Sequence, residues 1–598
     1  MAAGEGGGGG GGGKVDEFQP HPVKEQLPGV DYCIRSSPSW PEAIFLGFQH
    51  YLVMLGTIVI ISTLLVPLMG GGNVEKAQMI QTMLLVAGIK TLLQTLVGTR
   101  LPVVIGPSFA FLIPAISVAF STRMSTFLNP NQRFKQSIRA VQGALIIASF
   151  VQAMIGFFGF WSIFARFLSP LSAVPLVTLT GLGLFVLWFP RLADCVEIGL
   201  PALVILVILS QYIPQKMKSR GFDRVAIVVT IGIAWTFAEI LTAAGAYNKR
   251  PPMTQINCRT DRSGLITAAS WSVLGSLVVF LKFIQFSQTM IKVPYPLQWG
   301  SPTFNAGDIF AMIAASLVAI VESTGTFIAA SRFGSATPVP PSVLSRGVGW
   351  LGVGTFLDGL FGAATGSAAS VQNAGLLGLT RVGSRRVIQI SAGFMFFFSI
   401  FGKFGAVIAA IPLPIIAAVY CVLFAYVGMY DSMVIDNNSV ILMLHRPDLV
   451  FFNFAILTAT DRCSSLAFLS FSVYPFHNIS TRLSFYLDTA LFKLAPPRYA
   501  HILPEKSSIA IKQIFIILTV ASNTMQFNNI VQVIFSSPAT VAIIVAYFLD
   551  ATMSPAHAST RRDSGRHWWE KFRSYNQDIR SDEFYALPMR LNRFFPSH

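Results

Sequence analysis

The sequence predicts an all-α polytopic membrane protein with about 14 transmembrane spans. Three observations carry that prediction. The 598 residues are 53% hydrophobic and only 12% charged, roughly half the charged share of a soluble chain. Apolar runs near 20 residues, the length that crosses a bilayer as a helix, follow one another along the chain. Two of these runs, third and tenth in order, are short and interrupted by Gly, Pro or small polar residues.

The spans fall at about 44–68, 77–98, 102–120, 140–160, 171–189, 196–213 and 225–245, then 308–330, 348–365, 367–380, 387–410 and 412–428. After Gly428 the pattern is ragged, and a last span returns at about 534–549. The chain therefore divides into a disordered cytoplasmic tail (1–40), a first repeat of seven spans (41–245) and an extracellular loop (246–307). A second repeat of seven (308–549) and a cytoplasmic C-terminal tail (550–598) complete it. Gly6 to Gly13 form a low-complexity tract with no apolar core, so no cleavable signal peptide is expected.

The net charge of +16 would raise the question of nucleic acid in a soluble protein. Here the basic residues sit mostly in short loops, which reads as membrane topology and excludes a nucleic-acid partner. Lys216/Lys218/Arg220/Arg224, Arg381/Arg385/Arg386 and the C-terminal Arg561–Arg573 stretch fall on one side, and the positive-inside rule makes that side cytoplasmic. The basic loop Arg123–Arg139 lands outside and violates the rule. The five cysteines (Cys33, Cys195, Cys258, Cys421, Cys463) have no CxxC spacing and are expected as reduced structural thiols.

Span 3 opens Leu101-Pro-Val-Val-Ile-Gly-Pro-Ser-Phe-Ala110, and span 10 opens Gly366-Ser-Ala-Ala-Ser-Val-Gln-Asn373. Interrupted segments at matching positions of two halves point to an inverted-repeat secondary transporter, because unwound backbone at membrane depth survives only where it is buried or lines a cavity. Short strands before half-helices are expected there, with the half-helix N-termini aimed at a small polar solute.

Ionisable groups inside spans are costly and are functional candidates by default. Glu322, in Val321-Glu-Ser-Thr-Gly-Thr326, can accept two N–H donors from a heterocycle or take up a proton, or serve as a structural carboxylate. His50, in span 1, is equally readable as a solute or proton contact and as a helix-packing hydrogen bond. Asp358 in span 9 is a candidate for proton coupling or a structural bond, and Lys90 and Lys403 for snorkelling or pairing with carboxylates. No ligand spacing for a metal, Walker loop, nucleophile elbow or HExxH motif is present, so neither an ATP-driven pump nor an enzyme is supported. No cofactor is expected.

Gln372-Asn-Ala-Gly-Leu-Leu-Gly-Leu-Thr-Arg381 resembles the signature of the nucleobase–ascorbate transporter family, as do Gln49-His50 and Val321-Glu-Ser-Thr-Gly325. Arg381-Val-Gly-Ser-Arg-Arg386 and His567-Trp-Trp-Glu-Lys-Phe572 are similar to its plant branch. The resemblance implies fourteen spans in two inverted repeats, a core domain of spans 1–4 and 8–11, and a gate domain of spans 5–7 and 12–14. It also implies elevator movement of the core against the gate, a homodimer, a plasma-membrane location, and a proton gradient as the driving force. By the same resemblance Ser108, Phe109, Ala110, Glu322, Val371, Gln372 and Asn373 bind the solute. Glu322, His50 and Asp358 are assigned to proton coupling; Gln49, Thr326, Gly375, Thr380 and Arg381 to specificity or structure. Gln at the first signature position points to oxopurines such as xanthine and uric acid, whereas ascorbate transporters of the family carry Pro there.

The resemblance covers about Phe18 to Trp271, Ile291 to Gly428, and Phe527 to the end. The apolar stretch 272–290 reads as a loop insertion. From Met429 to Gln526 the family pattern is missing, as retained intronic sequence or a mispredicted gene would make it, which weakens the expected gate domain. The expected function is a proton-coupled purine symporter. The alternatives are an ascorbate or inorganic-anion transporter of the same fold, or a transport-inactive membrane protein.

Overall fold

The computed structural model describes residues 30–166, 168, 176, 180, 181, 184, 188–217, 221–261, 293–401, 407–432, 540, 543 and 584–588. Most of the expected span at 171–189, the stretch 272–290, Lys403, nearly all of 429–526 and most of the last span lie outside the described residues.

The first helix, α1 (Trp40–Met69), starts with a proline in its first turn and ends at Gly70, whose φ of 97° makes the left-handed cap. In α2 (Asn73–Leu96) the Glu75 carboxylate accepts the Gly72 N–H at 2.9 Å. Beyond it, β1 (Ile105–Pro107) leads through the turn Phe109–Phe111 into the short helix α3 (Leu112–Ala119). Next come α4 (Pro130–Phe157), α5 (Val196–Val207) with its wider-wound extension Ile208–Tyr212, and α6 (Gly221–Ala243). The later part holds α7 (Ala306–Phe333), α8 (Pro341–Phe361), β2 (Ser367–Ala369), α9 (Val371–Thr380), α10 (Arg385–Ile400) and α11 (Leu413–Ser432).

Several helices start before the apolar windows read from sequence. The α4 helix begins at Pro130, where Asn129 Oδ1 accepts the Asn131 N–H, and α8 begins at Pro341. Proline at the first helical position and polar caps extend a helix without adding hydrophobicity, so a hydropathy window misses those turns. Among the described residues five helices are long and apolar enough to cross a membrane: α1, α2, α4, α6 and α7.

The two short strands pair antiparallel, Ile105 opposite Ala369, Gly106 opposite Ala368 and Pro107 opposite Ser367. The pairing continues outward through Ser108 N–H to Gly366 O (3.0 Å) and Ser370 N–H to Val104 O (2.9 Å). Helices α1, α2, α4, α7, α8 and α10 pack on one another around this crossing, while α5, α6 and α11 contact each other as a second group. The groups meet where α9 lies on α11, and where Tyr420 of α11 hydrogen-bonds Thr57 of α1 (2.8 Å).

Two expectations about loops change. Cys195 and Cys258 are not reduced thiols but a disulfide across 63 residues, with Cα atoms 5.6 Å apart. The helical turn Pro252–Cys258 folds back to the start of α5, a proximity that spacing alone does not reveal. Cys33 is free and exposed, Cys421 free and buried. The basic loop that violates the charge rule is held by protein partners: Arg123 pairs with Asp308 at 2.6 Å, Arg139 donates to Ser301, and Arg133 Nε to Met69 O.

Candidate functional site

The strand crossing positions the site. Glycine lets side chains close over the crossing: a Cβ on Gly106 would lie 1.9 Å from Met54 Cε and displace that thioether, and one on Gly366 would lie 2.5 Å from the buried Phe111 ring. Thr91 Oγ1 accepts the Ile105 N–H at 3.0 Å, and Ser323 Oγ accepts the Ala369 N–H at 3.0 Å. These hydroxyls tie the strand pair to α2 and α7, satisfying backbone groups that have no partner within the short ladder.

Each strand opens into a half-helix with a serine at its N-terminus. Ser108 Oγ accepts the Ala110 N–H at 3.2 Å. Ser370 Oγ accepts the Asn373 N–H (3.3 Å) and the Asn373 side-chain amide (2.9 Å), and donates to Gln372 Oε1 (2.9 Å). Asn373 Oδ1 lies 2.9 Å from His50 Nδ1, which joins α1 to α9. His50, Gln372 and Asn373 are each no more than 3% exposed, and Val371 is also buried.

Glu322 differs from these neighbours. It is half-buried, and among the described residues its carboxylate has no hydrogen-bond or ion-pair partner. Its helix packs against both the Phe109–Phe111 turn and β2. Phe109 and Ala110, in that turn, are likewise half-buried rather than fully enclosed. The carbonyl of Gln372 is occupied by Ser370, while no described protein group accepts its Nε2 protons. A carboxyl group and an amide whose hydrogen-bonding capacity is unspent among the described residues, together with an aromatic ring, therefore lie on the elements that border the crossing.

The other candidate residues are distributed as follows. Asp358, on α8, meets the first residue of β2: both its oxygens are 2.9 Å from Lys90 Nζ, and Oδ2 accepts Ser367 Oγ–H at 2.6 Å. Thr326 Oγ1 donates to Glu322 O (3.0 Å), and Thr380 Oγ1 to Leu376 O (2.8 Å), both within their own helices. Thr380 and Arg381 lie at the opposite end of α9, about 12 Å from Gln372 at 1.5 Å per residue. Arg381 caps α9 with a φ of 56°. A Cβ on Gly375 would lie 2.5 Å from Leu423 O, so this glycine lets α9 lie against α11. Gln49 donates to the Arg224 carbonyl of α6.

Sequence reasoning missed Ser323, Ser367, Ser370 and Thr91. Ser370, three residues before Asn373 at the head of an apolar run, carried a capping signal. The others hold partners distant in sequence and have no local signature.

Comparison with known proteins decides the family. A sequence model described as a permease family matches residues 41–441. Nucleobase-ascorbate transporter 4 of Arabidopsis thaliana is 56% identical over 98% of this chain and 99% of its own length. The chain belongs to the nucleobase–ascorbate transporter family. Nucleobase-ascorbate transporter 6 of the same plant is 51% identical, covering 98% of both chains. This chain is accordingly a helical membrane transporter, and its relatives are transporters rather than enzymes. Among solved structures, the transmembrane domain of the cyanobacterial bicarbonate transporter BicA overlaps at TM-score 0.34 and 13% identity, covering 70% of this chain and 96% of that one. A murine Slc26a9 anion transporter in the inward-facing state overlaps at 0.37 and 12% identity, covering 79% and 72%. Both overlaps are loose, and neither fixes the arrangement of this chain.

Proposed function

We propose that this chain is a proton-coupled symporter importing oxopurine nucleobases such as xanthine and uric acid. The observation that carries the proposal is the half-buried carboxyl of Glu322, without a partner among the described residues, on a helix packed against the Phe109–Phe111 turn and β2, together with the uncommitted Gln372 amide at the head of α9. An oxopurine has N–H donors for the carboxylate, C=O acceptors for the amide and a flat ring to stack on Phe109. Ser108, Ala110, Val371 and Asn373 complete the site through backbone and packing. An inorganic anion would be repelled by an ionised Glu322, which disfavours that alternative. Ascorbate is the second reading, favoured by the printed names of the relatives and opposed by Gln372, whose side chain suits oxopurine edges.

Proton coupling is assigned to Glu322, whose charge sets whether the solute's N–H groups find an acceptor, with His50 and Asp358 as buried titratable groups tied to α9 and β2. Helices α1, α2, α4, α7, α8 and α10 correspond to an elevator core, and α5, α6 and α11 to a gate, in a homodimer of fourteen-span subunits in the plasma membrane. The Cys195–Cys258 disulfide supports cytoplasmic termini. With that orientation both cysteines lie on the outer side, where the compartment is oxidising.

The test is uptake of labelled xanthine by transporter-deficient cells, competed with unlabelled uric acid, ascorbate or sulfate. The proposal expects competition by uric acid alone. Competition by ascorbate moves the assignment to the second reading, and saturable uptake blocked by sulfate contradicts both.

A further inference from the structure

A short C-terminal segment is seated on the helix bundle far from its place in the sequence. Tyr585 is 2% exposed and Leu587 7% exposed, and Tyr585 belongs to the main hydrophobic core. The Tyr585 hydroxyl donates to Thr337 O at 2.6 Å, in the connection between α7 and α8. Two arginines hold the segment's backbone. Arg346 of α8 donates through Nη2 to Tyr585 O (3.0 Å), and Arg385 of α10 through Nη2 to Phe584 O (3.1 Å).

The same two guanidiniums reach in the other direction to one turn. Arg346 Nε donates to Gly98 O (2.8 Å) and Arg385 Nε to Arg100 O (2.7 Å). That turn links α2 to β1, and Arg100 within it sits at φ 61°, a conformation that a non-glycine residue adopts only when its surroundings hold it. The docked segment and the turn into the strand crossing are therefore joined through a shared pair of side chains. An arginine whose planar fork bonds one carbonyl through Nε and another through Nη2 is fixed in orientation by the pair, so losing one carbonyl loosens its hold on the other.

We propose that Phe584–Leu587 is a built-in peptide ligand for this end of the bundle, and that its docking holds the 98–101 turn in the position that presents β1 to the solute site. The cleft recognises a short peptide with a buried tyrosine and two backbone carbonyls, and its occupant is the chain's own C-terminus.

The experiment uses the full-length protein in detergent micelles and a fluorescent peptide of residues 580–590. A covalently attached tail competes at an effective concentration on the order of millimolar, so the wild-type chain should exclude micromolar peptide. Tyr585→Ala, with its own tail released, should bind the peptide with an apparent affinity at least about tenfold tighter than wild type does. A peptide carrying the same Tyr585→Ala change should bind neither protein. In inside-out vesicles the peptide should restore the maximal transport rate of the Tyr585→Ala chain without changing KM. The binding arm stands apart from the transport reading, so failure of one is distinguishable from failure of the other. Equal binding to both proteins, or binding to neither, overturns the proposal. Should Tyr585→Ala not reach the membrane, Tyr585→Phe, which loses only the bond to Thr337, should admit the peptide weakly. Wild-type exclusion by that variant then overturns the proposal as well.

Discussion

Lys90 and Asp358 form an ion pair with each side chain only 2% exposed and Ser367 as a third member. Breaking such a pair from one side leaves a buried charge without compensation, at a cost of roughly 3–5 kcal/mol. Replacing both partners with apolar residues of similar size costs far less and can be neutral. Lys90→Met and Asp358→Leu should each therefore be strongly destabilised, while the double variant recovers most of the loss. The coupling between the two substitutions should reach about 2 kcal/mol or more, at the upper end of measured pairwise terms. The assay is a thermal melt of detergent-solubilised protein followed by size-exclusion fluorescence, applied to all four members of the cycle. Additive losses, with the double variant worse than either single one, would refute the reasoning. The double variant also separates two roles for Asp358. If it only braces β2, the recovered protein should transport with wild-type pH dependence; if it takes part in coupling, the protein should be stable yet fail to accumulate solute.

Three further outcomes are expected. Gly375→Ala drives a Cβ toward Leu423 O, and overpacking there should cost about 1–3 kcal/mol, read as reduced uptake per surface-expressed molecule; unchanged uptake would contradict the close approach of α9 and α11. Arg224 of α6 pairs with Asp31 (2.8 Å) and Glu42 across the two helix groups. Partly exposed pairs are worth about 0.2–1 kcal/mol each, so Arg224→Gln should change the rate of solute exchange by no more than about fivefold per pair lost. A complete loss with normal surface expression would assign Arg224 a larger part. Peptide mapping under non-reducing conditions should recover Cys195 joined to Cys258, and finding both as free thiols would remove the disulfide from the account.

The membrane class was legible because apolar runs of spanning length report directly on the solvent around them. Glu322, Gln372 and Phe109 could be singled out because a charged group in a span and a signature motif are both visible locally. What periodicity could not supply was the set of partners: Lys90 and Asp358 are 268 residues apart, and His50 and Asn373 are 323 apart. Small hydroxyls such as Ser323 and Ser367 matter only because two backbones cross beside them, which no local pattern encodes. The disulfide does have a signal in the sequence. Topology alone places Cys195, at the start of one span, and Cys258, in the loop after the next, on the same side. The Phe584–Leu587 dock had none, since its partners come from the α7–α8 connection, from α8 and from the start of α10.

Glu322 is the centre of the account. The most direct measurement is xanthine uptake at acidic and neutral pH in transporter-deficient cells, comparing wild type with Glu322→Gln at matched surface expression. The amide keeps the size of the side chain but cannot exchange a proton or offer two equivalent acceptors. The account predicts saturable wild-type uptake that rises with acidity, and loss of both the uptake and its pH dependence in the variant. Acid-stimulated uptake by Glu322→Gln equal to that of wild type would contradict it.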